Sequence, residues 1–376
     1  MFVYQLVIAL ALIAFLGLVV RNLSDYRRPT ARLPKARPFV SICLPARNEA
    51  KNIGACLRGL VVQEYSHFEI LVLDDCSDDD TAHIVQAAAN LDSRVRLVRG
   101  EPITPGWAGK CHACSQLALH ATGDYLLFLD ADTRAEPALV GSALAISEET
   151  GAGLVSAFPR QVTGSFWERA VLPMLQFLIV TLLPIRQVWE SPSPGLCAAC
   201  GQFLLFRREW YYRIGGHAAI RGSFHDGLQL ARRLKSFGGT VRLFDATDLL
   251  ECRMYEGGRA VWDGFTRNAY EGLGSYGALL GMTLALGLLF LAPFCFLVYG
   301  ICVSASWTAV CAVQVAIILA IRSMQAARFG HWESVLLFPL AVAGVMAIQW
   351  GSLIRSRFPQ PTSWRGRTYV NGRQDP

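Results

Sequence analysis

Charge disappears from the chain three times, over residues 2–20, about 276–320 and 334–353, and each stretch is almost wholly apolar. A membrane crossing needs about 20 apolar residues, so the first and last stretches each predict one span. The middle one is long enough for two, hinged near Ser304-Ala-Ser306. Between these stretches the pattern changes to short apolar runs alternating with amphipathic segments. Strands are expected at 39–44, 68–73, 94–98 and 125–129, and helices at 50–63, 81–91 and 111–121. Alternation at this pitch predicts a parallel sheet with helices on both faces. Residues 166–188 are mostly apolar but are broken by Pro173 and Pro184. They are expected to form a helix lying in the membrane interface.

Composition and charge refine this picture. Hydrophobic residues make up 53% of the 376 and charged residues 17%, too apolar for a wholly soluble chain. The N-terminal stretch lacks the basic start and small-residue cleavage site of a secretory signal, and Arg21, Arg27 and Arg28 follow it, so it reads as a signal anchor. By the positive-inside rule those arginines place the segment up to about residue 275 in the cytoplasm of a multi-pass cell-membrane protein. The expected organisation is a membrane helix over 1–22, a catalytic domain over 35–275, membrane helices over 276–354 and a basic tail over 355–376. Four spans leave that tail outside, against the same rule, unless the last stretch, with Pro339 and Gly344 near its middle, is re-entrant. The net charge of +6 resides largely in arginines beside the spans, where anionic lipid attracts them. No basic and aromatic stripe marks a nucleic-acid surface. Eleven cysteines are scattered, and Cys111-His112-Ala-Cys114 with Cys197-Ala-Ala-Cys200 read as small buried thiols rather than a zinc knuckle.

Chemistry gathers at three predicted strand ends: 45–49, 74–80 and 130–132. Ligands of such sheets bind beyond the carboxyl ends of the strands. A strand points alternate side chains the same way, so Asp130 and Asp132 face one side where the 125–129 strand runs out, as two hard oxygen ligands for a divalent cation that would hold a diphosphate. Neither a G-x-G-x-x-G after the first strand nor a Walker A loop at Gly106-Trp-Ala-Gly109-Lys110 is present.

From about Val40 to Tyr270 these segments resemble the membrane-bound members of glycosyltransferase family 2. Leu44-Pro45-Ala46-Arg47-Asn48-Glu49 is similar to that family's first nucleotide-binding loop, 73–81 to its V-D-D-G-S-x-D-x-T segment, and Asp130-Ala131-Asp132 to its D-x-D. The resemblance implies a GT-A fold, a Rossmann-like mixed sheet, with one N-terminal and about three C-terminal membrane helices. It implies that Pro45, Arg47 and Glu49 border the uridine of a UDP-sugar and that Asp75 accepts the uracil N–H. Asp132 would bind Mn²⁺ or Mg²⁺, with Asp130 beside it on the ribose or the metal, while Lys110 reaches the diphosphate or only begins a helix. Asp78, Asp79 and Asp80 read as caps and helix N-terminal acids.

Gly201-Gln202 through Arg208, then Gly215-Gly216-His217, resemble the family's acceptor-side segment and lead into Phe224-His225-Asp226-Gly227. Asp226 matches the catalytic base of an inverting transfer. His225 stands where most relatives have an acid, and its imidazole is expected to orient Asp226. The Q-x-x-R-W segment of processive synthases is missing. Gly264-Phe-Thr-Arg267-Asn268 stands there instead, which favours transfer of a single hexose and leaves Arg267 for the leaving diphosphate. The tail motif 364–369 and the segment from Cys252 to Gly272 are similar to carotenoid- and hopanoid-associated members, implying a membrane lipid of polyprenoid type as acceptor. Two other readings stay open: a non-catalytic nucleotide-sugar binding subunit of a membrane complex, and a nucleotidyltransferase.

Overall fold

The computed structural model describes residues 1–30 and 32–358 and, within the tail, 362–364, 367–370 and 373–374. Of the tail motif, residues 365 and 366 lie outside the described residues. The chain divides into an α/β unit (26–162, 187–254 and the tail) and a helical unit (1–25, 163–186 and 255–358). Residues 255–275, expected within the catalytic domain, thus group with the helices.

The α/β unit contains strands β1 (Val40–Ala46), β2 (Phe68–Asp74), β3 (Val95–Arg99), β4 (Tyr125–Leu129), β5 (Thr133–Ala135), β6 (Leu154–Phe158), β7 (Arg160–Gln161), β8 (Phe203–Arg207), β9 (Val241–Asp245) and β10 (Leu250–Cys252). Seven of them form one sheet in the order β3-β2-β1-β4-β8-β6-β9. All its pairings are parallel except those of β8, which runs antiparallel to β4 and β6. The sheet is therefore mixed. Alternation of side chains in β1 sends Val40, Ile42, Leu44 and Ala46 to one buried face and Cys43 to the other, and each face carries its own apolar core. The helices expected at 50–63, 81–91 and 111–121 appear as Ile53–Val61, Thr81–Leu91 and Gly109–His120. A small second sheet, β5-β10-β7, crosses beyond the end of β4.

β8 determines where the chemistry can sit. Because it is antiparallel, its first residue, Phe203, pairs with Leu129 at the carboxyl end of β4. The preceding Cys200-Gly201-Gln202 therefore enters at the ligand-binding edge. β10 does the same on the other side, pairing Cys252 with Thr133.

In the helical unit four helices are long and apolar enough to cross a membrane: Phe2–Asp25, Tyr276–Cys302, Thr308–Phe329 and Phe338–Arg357. The hinge expected near 304–306 falls between the second and third. A widened turn, Leu286–Leu291, precedes Pro293, whose ring nitrogen cannot donate to the preceding turn. Residues 166–188 are not one helix. Pro173 and Pro184 divide them into Phe166–Val171, Met174–Leu182 and Ile185–Glu190. Asn22 braces this break: its amide donates to Val180 O, whose helical donor Pro184 cannot supply, and to Leu183 O, both at 2.8 Å, while its Oδ1 accepts from Ile185 N. Glu168 closes the first of these helices, accepting from Ser165 Oγ at 2.7 Å and from Gly164 N and Gly257 N at 2.6 Å.

Candidate active site

Two loops at the ends of β1 and β2 lock together. Arg47 Nη1 donates to the carbonyls of Asp75 (2.6 Å) and Cys76 (2.5 Å), and Nη2 lies 3.5 Å from Asp78 Oδ2. Asn48 and Cys76 both have left-handed backbones, at φ 51° and 53°. The strain of that conformation at Cys76 is met by neighbouring bonds, Asn48 N to Ser77 Oγ (3.0 Å) and Asp78 N to Asn48 Oδ1 (2.9 Å). Asp79 accepts from Thr81 N and Ala50 N and so joins the loops, while Asp80 is the N-cap of the helix that follows, without a side-chain cap bond. Pro45 lies in β1 in register with Leu73, Glu49 is buried and accepts from Asn52 Nδ2 at 2.9 Å, and Asp75 is buried at the loop's start. Pro45, Arg47, Glu49 and Asp75 thus share one rim. Within that rim Arg47 ties the first loop to the second.

At the end of β4 the strand stops at Leu129, and 130–132 form a turn held by Thr133 N and Oγ1 on Asp130 O, at 3.2 and 2.7 Å. The strand alternation expected to point Asp130 and Asp132 the same way therefore does not apply. Asp130 Oδ1 takes Lys110 Nζ at 2.7 Å, whereas Asp132 Oδ1 accepts from the Cys252 thiol at 3.5 Å. Lys110, in the first turn of Gly109–His120, also reaches Asp226 Oδ2 at 3.0 Å and donates to Gly201 O at 3.0 Å. One ammonium thus ties together two carboxylates predicted separately. Burial raises the Asp130 carboxyl, Asp132 and Asp226 add to this, and Lys110 opposes it, leaving Asp130 at about 6. For Asp226 burial pushes upward too but is outweighed by Lys110, His217 and the bond from Gly227 N, so its carboxyl is held below the ordinary value. The Lys110 ammonium is held well above its usual range: burial lowers it, and Asp130 and Asp226 more than offset that.

Asp226 opens the helix Asp226–Ser236, where a carboxylate is favoured by the helix dipole. Its approach is permitted by glycine. A Cβ on Gly201 would lie 2.2 Å from Asp226 Oδ1, and one on Gly227 would lie 2.6 Å from Gly201 N. His225 is the N-cap of that helix, its backbone N–H on Ser223 Oγ at 3.0 Å. A second imidazole, His217, also nears Asp226, Nε2 to Oδ2 4.0 Å, carried by the Gly215-Gly216-His217 turn of the segment read as acceptor-side. Also unforeseen is the chain behind Asp132: Gln161 Nε2 donates to Gln202 Oε1 (3.2 Å), Gln202 Nε2 to Cys252 Sγ (2.8 Å), and the thiol to Asp132. Burial first, then Asp132 and Asp130, raise the Cys252 thiol well above its usual range, so it remains a donor. Arg267 belongs to the helical unit, on the helix Gly258–Leu273.

Among the described residues no group of three His, Cys, Asp or Glu side chains is arranged to hold a metal by itself. The donor set fits a hard divalent ion nonetheless: Asp130 and Asp132 repel each other, with Asp226 adding negative charge, and such an ion keeps open positions for phosphate oxygens and water. Asp132 and Asp130 are the residues that would hold it.

Residues 41–215 match the family described as Glycosyl transferase family 2. The chain is 29% identical over 246 residues to the 4,4'-diaponeurosporenoate glycosyltransferase of Staphylococcus aureus strain MRSA252, and 28% identical to that of strain USA300, covering 62% of this chain and 62% of each relative. It thus spans less than two thirds of the length of these curated relatives. Among solved structures, the mannosyltransferase PcManGT from Pyrobaculum calidifontis, in complex with GDP-Man and Mn²⁺, superposes with a TM-score of 0.56 at 19% identity, over 93% of this chain and 98% of that one. That likeness concerns the fold.

Proposed function

We propose that this chain, which carries a family 2 glycosyltransferase domain of GT-A fold, moves a single hexose from a UDP-sugar to a membrane lipid of polyprenoid, carotenoid or hopanoid type with inversion at the anomeric carbon. The observation that carries the proposal is Asp226: a buried carboxylate kept ionised at a helix start and joined through Lys110 to Asp130 at the sheet's ligand edge. On a hydroxyl acceptor an ionised carboxylate there takes the hydroxyl proton as its oxygen attacks the anomeric carbon opposite the leaving diphosphate, in one displacement with no covalent intermediate. Pro45, Arg47, Glu49 and Asp75 border the nucleoside. Lys110 supplies the fixed positive charge nearest the base. A divalent ion on Asp132 and Asp130 would neutralise charge on the diphosphate.

The lipid class is supported by the name of the relatives, 4,4'-diaponeurosporenoate glycosyltransferase, and by four helices apolar enough to anchor the chain. The arginines after the first of these support a cytoplasmic position for the α/β unit. The test is lipid extraction from cells with and without the gene product: a lipid heavier by one hexose appears only in its presence. Absence of any hexose-shifted lipid, with UDP-sugar left intact by the membranes, overturns the reading.

A further inference from the structure

We propose that Tyr211 and His217 form a positioning pair for Asp226, with Tyr211 fixing the imidazole tautomer so that Nε2–H is aimed at the carboxylate. The inference rests on Asp226 being the base of the transfer proposed above. His217 is fully buried and Tyr211 nearly so, packed with Phe128 at ring distances of 4.7 and 5.1 Å. Tyr211 OH makes two bonds here: it receives the backbone N–H of His217 at 3.2 Å, and it lies 2.9 Å from Nδ1. A buried hydroxyl has one proton to place; placing it on Nδ1 satisfies the hydroxyl and leaves only Nε2–H to be matched, whereas a ring proton on Nδ1 would leave the hydroxyl's own proton without an acceptor. Nδ1 is therefore the acceptor and the ring proton sits on Nε2. Nε2 has no hydrogen-bond partner among the described residues, and the nearest carboxylate oxygen, Asp226 Oδ2, is 4.0 Å away.

That distance is too long for a hydrogen bond and short enough to become one. Ligand-free sites commonly hold such pairs long, and they tighten when substrate orders the site. Burial first, and Lys110 after it, keep the imidazole near 4 despite Asp226, so it is a neutral donor across the physiological range. It does not compete with Asp226 for the proton. The groups facing Asp226 are then Lys110 from Gly109–His120, His217 from its turn, Gly227 N from its own helix, and Asp130 through Lys110.

The test uses the full-length chain in lipid nanodiscs, with release of UDP from UDP-glucose or UDP-galactose as the rate and UDP affinity as the check on folding. His217→Phe is expected to lower kcat about 10- to 100-fold with donor KM within twofold of wild type. His217→Gln, whose amide nitrogen reaches the Nε2 position, is expected to recover part of that loss, and His217→Asn, which reaches only Nδ1, to recover none. In an Asp226→Asn background His217→Phe is expected to add no further loss, because the group it positions is gone; a purely structural role would lower both backgrounds alike. If Asp226→Asn is inactive while the three His217 variants match wild type, or if Gln and Asn behave alike, the positioning role is overturned and the proposed function stands. If Asp226→Asn itself keeps the wild-type rate, the proposed function fails first and the inference with it. Should His217→Phe fail to bind UDP, the Gln and Asn pair decides.

Discussion

Asp226 Oδ1 occupies the space that a side chain on Gly201 would need, 2.2 Å from where its Cβ would be. Glycine at 201 is thus a condition for the carboxylate's placement, because β8 delivers this backbone directly beside the first turn of the Asp226 helix. Gly201→Ala is expected to push Asp226 outward and lower kcat by about 10²-fold, the cost of misplacing a reacting group by about 1 Å. UDP affinity is expected to stay near wild type, since the nucleoside rim lies on other loops. An unchanged kcat shows that the contact does not set the base's position.

Asp226→Asn removes the base while keeping its shape. The expected loss is about 10² to 10⁴ in turnover on an alcohol acceptor, with UDP-sugar binding retained. On a carboxylate acceptor the nucleophile is already ionised and the loss is expected to be much smaller. Comparing the two acceptor types in one membrane preparation checks this, and near-normal turnover on the alcohol removes Asp226 from the role.

Lys110 bears on the pH dependence. Because it favours the ionised forms of Asp130 and Asp226, Lys110→Met is expected to raise both carboxyl groups, and the acid limb of the rate profile moves to higher pH. The limb is read from kcat/KM against pH. A limb that stays in place or moves to lower pH contradicts the Lys110 bridge.

Glu168 governs stability. Burial raises its carboxyl, but Ser165 Oγ and the N–H groups of Gly257 and Gly164 prevail and hold it at about 2. A folded-state value below the unfolded one contributes stability above the unfolded value near 4.5, and that contribution is lost as pH falls from there through about 2. Glu168→Gln is expected to destabilise the chain by about 1.5–3 kcal/mol at neutral pH, as the loss of a charge-assisted bond implies, and to make little difference at pH 2. Thermal melts of both proteins across pH 7 to 2 check the sign.

Three strand ends were legible because the apolar runs 39–44, 68–73 and 125–129 break at acidic or polar clusters, and those breaks also mark the ligand edge. The hinge between the second and third apolar helices was legible for a similar reason, small polar residues interrupting a charge-free run. The aim of Asp130 and Asp132 was not. Alternation holds only while the strand lasts, and β4 ends one residue too soon, its turn bonded by Thr133. His217 and Gln202 lie in turns without periodicity, and only the antiparallel entry of β8 and the close packing of Gly201 and Gly227 bring their surroundings to Asp226 and Asp132. His225, adjacent in sequence, was the natural imidazole to pair with the base, while nothing in the sequence spacing pointed to His217, which its turn brings within 4.0 Å of Asp226. The prolines at 173 and 184 were visible, but not that Asn22, far away in sequence, would supply the hydrogen bonds at the Pro184 break.

The central claim, that Asp132 and Asp130 with a divalent ion hold a UDP-sugar whose hexose is displaced under the control of Asp226, is tested most directly by UDP release and hexosyl-lipid formation in membranes bearing the full chain. The account predicts turnover with Mn²⁺ or Mg²⁺, loss in EDTA, recovery on adding the ion back, and no recovery for Asp132→Ala under any condition. Full turnover in EDTA, or an Asp132→Ala protein as active as wild type, would contradict it.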